Sequence, residues 1–336
     1  MKFAVAIFAH NEEANIRRML ESLWAQDIWR GRRLAAPTEV RCLVNGSSDA
    51  TAQVARGCQP DCDGIRYHVD DLEQPGKSRT WNVFVHQLAP ADAELLVFLD
   101  ADIELGGDAC LRKLVSALDD APQAVAAVDL PCKRFQAQSG GSAKAALSAA
   151  ASELAHGGAP KLCGQLYAAR AAALHGLEMP LGMLVEDGYL RAMLLTRNFT
   201  SPEDTSRLVR AADCWHAFTA ESELSPLLRH ERRILLGTAA NIALFHQLRK
   251  LAADGRDPAR WIAERNRENP HWFTAFARRN ASLPVAEFTT QPLRQWRGLE
   301  AGGRLRTLPG MLARSAFNLL VLLSARRALA RGDFKW

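Results

Sequence analysis

The stretch Leu95-Leu96-Val97-Phe98-Leu99-Asp100-Ala101-Asp102 decides the fold class. Its five apolar residues in a row are typical of a β-strand buried on both faces of a sheet. The two aspartates must lie where the strand leaves the core, because ionised carboxylates are costly to bury without partners. Ligands of open α/β sheets bind at the carboxyl ends of the strands, and carboxylate oxygens suit Mn²⁺ or Mg²⁺. Taken alone, these residues also fit a strand that ends in an acidic turn.

Apolar runs and helical periodicity alternate through the first hundred residues. The order β-α-β-α-β-α-β predicts a mostly parallel sheet with helices on both faces. Asn11 is expected to cap the first helix. The negative charges of Glu12 and Glu13 suit the positive N-terminal end of the helix dipole. The predicted strands are 2–8, 40–44, 65–69 and 95–100, and the predicted helices are 12–26, 50–56 and 77–85.

The pattern becomes less regular after Asp102. Glu186 and Asp187 open a predicted helix, and residues 208–218 alternate like an edge strand. We divide the chain into an α/β domain at residues 1–220 and a helical, basic region at residues 221–336. The other predicted elements are helices at 111–118, 142–156, 225–253 and 258–267, a strand at 124–130, and a short strand or loop at 162–168.

Charge is distributed unevenly along the chain. The net charge is +5, but residues 205–336 carry 22 Lys and Arg against 11 Asp and Glu. A basic region suits a phosphate-bearing ligand or an anionic membrane surface. We expect no nucleic-acid partner, because zinc-finger spacing, aromatic RNA-binding motifs and a basic leucine zipper pattern are missing from the sequence. Seven irregularly spaced cysteines and a start without a signal-peptide pattern indicate a cytoplasmic protein.

Residues 311–331 have an apolar centre with arginines on either side. The sequence contains no run of 18 or more apolar residues, so we expect no simple transmembrane helix. Two interpretations remain open. The segment either lies in a membrane interface as an amphipathic anchor or packs on the body of the protein with its arginines solvated.

Four short motifs follow the predicted strands in chain order. They are Ala9-His10-Asn11-Glu12-Glu13, Asn45-Gly46-Ser47-Ser48-Asp49, Gly76-Lys77 with Asn82, and Asp100-Ala101-Asp102. This ordered set resembles the family 2 glycosyltransferases, which have the Rossmann-like GT-A fold. Glu186-Asp187 and the basic segment 230–237 extend the resemblance, which covers about residues 3–240.

The resemblance implies a metal-dependent, inverting transfer of a sugar from a nucleoside diphosphate donor, with a UDP-sugar favoured. Asp102, assisted by Asp100, would hold Mn²⁺ or Mg²⁺, and Asp187 would be the general base. The hydroxyl acceptor would be a lipid or a glycan. The protein would be either free in the cytoplasm or peripheral at the cytoplasmic face of the inner membrane. The implied donor contacts are His10, Asn11, Glu12, Asn45, Asp49, Lys77, Asp100 and Arg233. The implied acceptor-side residues are Glu186, Gln165 and Tyr167.

The sequence departs from the family pattern in two places. Val44 stands where the family usually has a base-binding aspartate, which leaves Asp49 as a substitute. The Gln-x-x-Arg-Trp segment of processive synthases reads His230-Glu231-Arg232-Arg233-Ile234, so we expect one sugar per encounter. The alternative functions are a nucleotidyltransferase and a catalytically inert, membrane-associated scaffold of the same fold.

Overall fold

The computed structural model describes residues 2–30, 37–134, 159–219, 224–298 and 301–332. The helix predicted at 142–156 lies outside these residues. Over the described ranges, eight strands form one mixed sheet in the order β3-β2-β1-β4-β7-β6-β8-β5. The strands are β1 (Phe3–Ala9), β2 (Thr38–Asn45), β3 (Ile65–Leu72), β4 (Leu95–Asp100), β5 (Ile103–Leu105), β6 (Ala126–Arg134), β7 (Leu166–Arg170) and β8 (Leu208–Thr219).

The first four long strands form the parallel half of the sheet, as predicted. β1 pairs in parallel with β2 and with β4, and β2 pairs in parallel with β3. Ala9 lies opposite Val44, and Phe8 lies opposite Asp100. The carboxyl ends of these strands therefore meet at one edge, which is where their polar loops begin.

The second half of the sheet is mixed. β7 runs antiparallel to β4 and β6, and β8 runs parallel to β6. The prediction that β8 is an edge strand is wrong, because β5 pairs with its last residues, from His216 to Phe218. Because β5 has only three residues, the first part of β8 pairs with β6 alone among the described strands. This part of β8 therefore has the alternating pattern of an edge strand.

Helices cover both faces of the sheet and form the C-terminal region. They are α1 (Ile16–Trp24), α2 (Thr51–Arg56), α3 (Lys77–Val83), α4 (Cys110–Asp120), α5 (Ala171–Leu174), α6 (Glu186–Leu195), α7 (Leu224–Ala253), α8 (Pro258–Glu268), α9 (Trp272–Asn280), α10 (Val285–Arg297) and α11 (Ala301–Arg331). The prediction that Asn11 caps the first helix is wrong. Asn11 has φ 56°, in the left-handed region, and helix α1 begins only at Ile16.

The alternating side chains of β1 contribute to two separate cores. Val5 and Ile7 face the core under α1 and α4, whereas Ala6 and Phe8 face the core that contains α3 and the C-terminal helices. Each fully buried Leu, Ile, Val or Phe side chain contributes about 1.5–3 kcal/mol. The second core joins Phe98 of the sheet to Phe273 and other residues of α7 to α11. The C-terminal helices are thus packed on the sheet.

One segment of the described chain, Arg306–Arg331, is long and apolar enough to cross a membrane, with a mean hydropathy of 1.4. It belongs to α11. Only 22% of its most apolar window is buried. The sequence predicts no simple transmembrane helix because it contains no uninterrupted run of 18 apolar residues. This segment reaches its mean hydropathy with leucines and alanines that are interrupted by widely spaced arginines.

Candidate active site

The loops that follow β1 and β2 are joined through Asn11. Its backbone N–H donates to Ser47 Oγ at 3.0 Å, and its side-chain oxygen accepts from the Ser48 N–H at 2.8 Å. The left-handed backbone of Asn11 turns the chain so that these contacts form. Asparagine tolerates this conformation better than most residues. Asn11 therefore shapes the rim of the site.

Asn45 braces three loops at once. Its amide nitrogen donates to the Ala9 carbonyl at 2.9 Å, and its amide oxygen accepts from the Gly76 N–H at 3.1 Å. Its own carbonyl lies 2.7 Å from His10 Nδ1. Because the side chain is buried and hydrogen-bonded through both its amide nitrogen and its amide oxygen, Asn45 holds the loops after β1, β2 and β3 together from beneath.

Asp49 is occupied by local hydrogen bonds. Its carboxylate accepts from the Glu13 N–H at 3.1 Å and from the Thr51 N–H at 3.0 Å. Burial alone would raise the pKa of Asp49, but these hydrogen bonds hold it below its ordinary value. The structure thus places Asp49 as a brace between the first two loops.

Glu12 lies beside the carboxylates of the site. Burial is the main cause that raises its pKa to about 7, and the charges of Asp102, Asp100 and Asp49 add to the effect. A hydrogen bond from Asn15 at 2.8 Å partly opposes this rise. Repulsion among these carboxylates shows that this part of the site favours a positive charge.

Lys77 stands at the centre of the site. Its ammonium nitrogen lies 2.6 Å from Asp100 Oδ1 and 3.0 Å from Glu186 Oε1, and it donates to the Gly164 carbonyl at 3.0 Å. The two carboxylates raise the pKa of Lys77 above its ordinary value, although burial opposes its charge. The residue predicted to contact the donor therefore joins the end of β4 to the start of α6.

The two carboxylates at the end of β4 have different surroundings. Asp100 is paired with Lys77, and burial raises the pKa of Asp100 to about 6. Asp102 has one buried oxygen, Oδ1, without a hydrogen-bond partner. No three His, Cys, Asp or Glu side chains of the described residues form a ready-made metal site. An orphaned carboxylate oxygen of this kind fits a divalent cation whose remaining ligands come from a substrate's phosphates and from water.

Glu186 and Asp187 occupy the first turn of α6, as the sequence predicted. Burial raises the pKa of Asp187 and the charge of Glu186 adds to it, while the Gly188 N–H, Lys77 and Arg233 lower it. The Gly188 N–H donates to Asp187 Oδ1 at 2.7 Å. Asp187 is therefore a partly buried carboxylate with a raised proton affinity, which is the property required of a general base near neutral pH.

Helix α7 brings Arg233 to this carboxylate. The helix packs closely on the residues before α6, since a Cβ atom at Gly237 would lie 2.4 Å from Val185 Cγ2. Asn241, one turn further along, donates to the Val185 carbonyl at 2.7 Å. These contacts fix the start of α6 against α7 and place the Arg233 charge near Asp187.

The two predicted acceptor-side residues of β7 and its preceding loop have different positions. The Gln165 carbonyl accepts from the Asp100 N–H at 2.9 Å, which places Gln165 at the site. Tyr167 is 3% exposed, stacks on Phe98 with 4.6 Å between ring centroids, and accepts from Trp81 Nε1 at 2.8 Å. Tyr167 is thus a core residue beneath the site.

A buried pair that the sequence prediction did not use lies behind Gln165. His216 Nδ1 is 2.7 Å from Asp129 Oδ2, and both side chains are fully buried. His216 Nε2 lies 3.3 Å from Gln165 Oε1. In the sequence, Asp129 stands out as the one charge in the otherwise apolar residues 124–130, where an unpaired carboxylate would be costly.

Comparisons with known proteins agree with this arrangement. Residues 4–138 match the profile of the family described as Glycosyl transferase family 2. No relative was found among curated protein sequences.

Solved structures that are similar to this chain include the following three. A mannosyltransferase from Pyrobaculum calidifontis, in complex with GDP-Man and Mn²⁺, is 17% identical over 96% of this chain and 86% of that one, with a TM-score of 0.53. Glucosyl-3-phosphoglycerate synthase from Mycobacterium tuberculosis, with Mg²⁺ and UDP, is 20% identical over 71% and 78%, with a TM-score of 0.46. Residues 1–349 of S. aureus TarS are 16% identical over 98% and 92%, with a TM-score of 0.46.

The match over residues 4–138 identifies a glycosyltransferase, and the mixed sheet with polar loops at its carboxyl edge has the GT-A fold. Residues 4–138 of the chain form a Glycosyl transferase family 2 domain. This confirms the resemblance stated from the sequence motifs.

Proposed function

We propose that this enzyme is a metal-dependent, inverting glycosyltransferase that moves one sugar per encounter from a nucleoside diphosphate to a hydroxyl group. The observation that carries the proposal is that Lys77 lies between two pairs of carboxylates and contacts one member of each pair. Asp100 and Asp102 lie at the end of β4, and Glu186 and Asp187 open α6. Such an arrangement separates a donor side from an acceptor side within one cleft.

Asp102, with Asp100, would hold Mn²⁺ or Mg²⁺ together with the donor's diphosphate. The ion supplies Lewis-acid stabilisation of the departing diphosphate when it is bound. The orphaned Oδ1 of Asp102 and the raised pKa of Glu12 both support a positive charge at this place. The mannosyltransferase and the synthase with similar folds were solved with Mn²⁺ and Mg²⁺, respectively.

Asp187 acts as the general base in this proposal. It accepts the proton of the acceptor hydroxyl while the hydroxyl oxygen forms a bond to the anomeric carbon and the diphosphate leaves from the opposite side. One base and no covalent sugar–enzyme bond suffice for inversion. The raised pKa of Asp187 supports this role, because a base with a proton affinity nearer to neutral accepts the proton more readily.

The remaining residues orient the donor. The rim formed by His10 and Asn11 would contact the nucleoside, while the guanidinium of Arg233 suits the diphosphate because it can form paired hydrogen bonds to phosphate oxygens. Asn45 and Asp49 hold the loops that carry these contacts. Glu186 keeps Lys77 in the cleft from the acceptor side.

The acceptor in this proposal is a hydroxyl of a lipid or a glycan. Support for a lipid comes from the exposed leucines of α11, which offer an apolar surface on the same body as the site. The nucleotidyltransferase alternative loses support, because the family match is to glycosyltransferases. The presence of both Asp102 and Asp187 favours an active enzyme over an inert scaffold of the same fold.

Release of nucleoside diphosphate from UDP-, GDP- and TDP-sugars tests the proposal, with Mn²⁺ or with EDTA and with a panel of lipid and glycan acceptors. We expect release with one nucleotide, loss of release with EDTA, and a fall of about 100-fold or more in Asp102→Asn and in Asp187→Asn. Asp120→Asn, which alters an exposed carboxylate at the end of α4, is the matched control. Undiminished release in Asp187→Asn would refute the assignment of the base.

A further inference from the structure

Helix α11 presents an exposed row of leucines. Leu312, Leu319, Leu320 and Leu323 are 58%, 51%, 54% and 42% exposed. Their spacing places them on one side of the helix, since residues three, four and seven apart share a face. Soluble proteins seldom leave a contiguous apolar patch of this kind uncovered. This set of four leucines is called the leucine face below.

The opposite side of α11 is packed on the protein. Val321, Leu322 and Ala325 are buried in the core shared with the sheet and α7. Asn318 donates from Nδ2 to the Phe288 carbonyl of α10 at 2.9 Å. These contacts hold the second half of the helix, so Leu319, Leu320 and Leu323 point away from the body while the helix stays attached to it.

The charge of α11 has one sign. The helix contains no Asp or Glu from Ala301 to Arg331. Exposed arginines lie at Arg314, between Leu312 and Leu319 in the chain, and at Arg326, Arg327 and Arg331 after the leucine face. The surrounding region is also basic, with 22 Lys and Arg against 11 Asp and Glu in residues 205–336. A partner must therefore offer both an apolar interior and negative charge.

We propose that α11 lies in the plane of an anionic lipid bilayer, with the leucine face in the upper acyl region and the flanking arginines on lipid phosphates. Helices with one apolar side and a basic polar surface bind in this way. The cytoplasmic leaflet supplies the negative charge, and each basic residue near it strengthens binding.

Two other states of this helix fit the observations less well. A spanning helix would have to leave its buried contacts at Val321, Leu322 and Asn318. A two-fold contact between two copies through the leucine face would bring their arginines into one interface, where like charges repel. The lipid surface satisfies the apolar side and the charge together.

Vesicle flotation of the full chain tests the proposal. The vesicles contain phosphatidylcholine alone or phosphatidylcholine with 30% phosphatidylglycerol, a composition chosen so that about one lipid in three is anionic. We expect flotation with the anionic vesicles, weaker flotation with the neutral ones, and a partition coefficient reduced about fivefold for each arginine removed in Arg326→Gln and Arg327→Gln. Because the readout is lipid binding, failure of the proposed sugar transfer would leave this result unaffected.

The double variant Leu320→Glu with Leu323→Glu should lose at least about tenfold in partition. Leu224→Glu, which alters a leucine that is 67% exposed on α7, is the matched control and should float like the parent. A melting curve by circular dichroism confirms that each variant is folded. Flotation unchanged in the double variant, a stable dimer that the double variant dissociates, or retention in the membrane after alkaline carbonate extraction would each overturn the proposal.

Discussion

The ammonium of Lys77 lies 3.0 Å from Glu186 Oε1, and this contact joins two segments that are far apart in the chain. Lys77 begins α3 and Glu186 begins α6. The same ammonium is paired with Asp100 at the end of β4. Asp100 at the end of β4 and Glu186 at the start of α6 are therefore held by one shared cation.

Replacing Lys77 should destabilise the protein strongly. Lys77→Met removes the counter-charge shared by Asp100 and Glu186, whose side chains are only 21% and 13% exposed. Removing one partner of a buried ion pair costs about 3–5 kcal/mol. Urea unfolding measures the change, and Lys77→Met combined with Glu186→Gln should recover part of it. A Lys77→Met protein as stable as the parent would mean that the pairing contributes nothing to the fold.

The buried pair of Asp129 and His216 should matter for stability and for turnover. His216→Ala leaves Asp129 buried without its partner, at a cost of roughly 2–5 kcal/mol. It also removes the imidazole that lies against Gln165 at the site, so turnover of the folded fraction should fall. His175→Ala, at an exposed histidine, should change neither. Equal stability of the two variants in urea would contradict the importance of the pair.

Stability of the metal-free enzyme should depend on pH through Glu12. The pKa of this carboxyl is raised from 4.5 to about 7 in the folded protein, so the folded state binds more protons than the unfolded state between these values. The stabilisation is fully present below the unfolded value and is lost as the pH rises through about 7. Glu12→Gln should therefore raise the melting temperature at pH 8 and change it little at pH 4.

Melting curves in EDTA at both pH values measure the effect of Glu12→Gln. Asp120→Asn serves again as a control for the loss of one negative charge. A stabilisation by Glu12→Gln that is equal at the two pH values would contradict the raised proton affinity of Glu12.

The close packing of α7 on the start of α6 predicts a rescue experiment. Gly237→Ala places a methyl group 2.4 Å from Val185 Cγ2, and overpacking of this kind costs about 1–3 kcal/mol. Turnover should fall as well, because Asp187 and Arg233 are positioned by the same contact. Adding Val185→Ala removes the closest contact and should recover part of both losses, because the Cβ atoms of residue 185 and of Leu184 remain at 3.0 Å and 3.1 Å.

Gly176→Ala is the control for this rescue, because a Cβ atom at Gly176 meets nothing within 4 Å. Thermal melting and turnover are measured for all variants. No recovery on adding Val185→Ala would show that the contact between α7 and α6 does not position the site.

The sequence predicted the parallel half of the sheet and the order of the polar loops well. Buried strands such as β1 and β4 are continuous apolar runs, a signal that is local to each segment. The convergence of Asn11, Asn45 and Asp100 followed because the carboxyl ends of parallel strands share an edge. The resemblance to the family added the roles of Asp102 as a metal ligand and of Asp187 as the general base. Both roles stay predictions.

The parts that were missed depend on distant packing. Tyr167 was expected on the acceptor side, but its ring completes the aromatic core with Phe98 and Trp81. Asn45 was expected to contact the donor directly, and the structure shows it buried between backbone groups. The contact of Lys77 with Glu186 joins segments whose distance no local pattern encodes. The types of side chain at the carboxyl edge could thus be predicted from the sequence. Their hydrogen-bond, ion-pair and ring-stacking partners could not.

Metal-dependent donor binding at Asp102 is the central claim, and calorimetric titration of the EDTA-treated enzyme with UDP and with GDP tests it most directly. Each titration is run with and without Mn²⁺, on the parent, Asp102→Asn and Asp120→Asn. We predict that one nucleotide binds the parent and Asp120→Asn only when Mn²⁺ is present, and that Asp102→Asn loses this binding. Nucleotide binding that is equally strong without Mn²⁺, or that survives Asp102→Asn unchanged, would contradict the account.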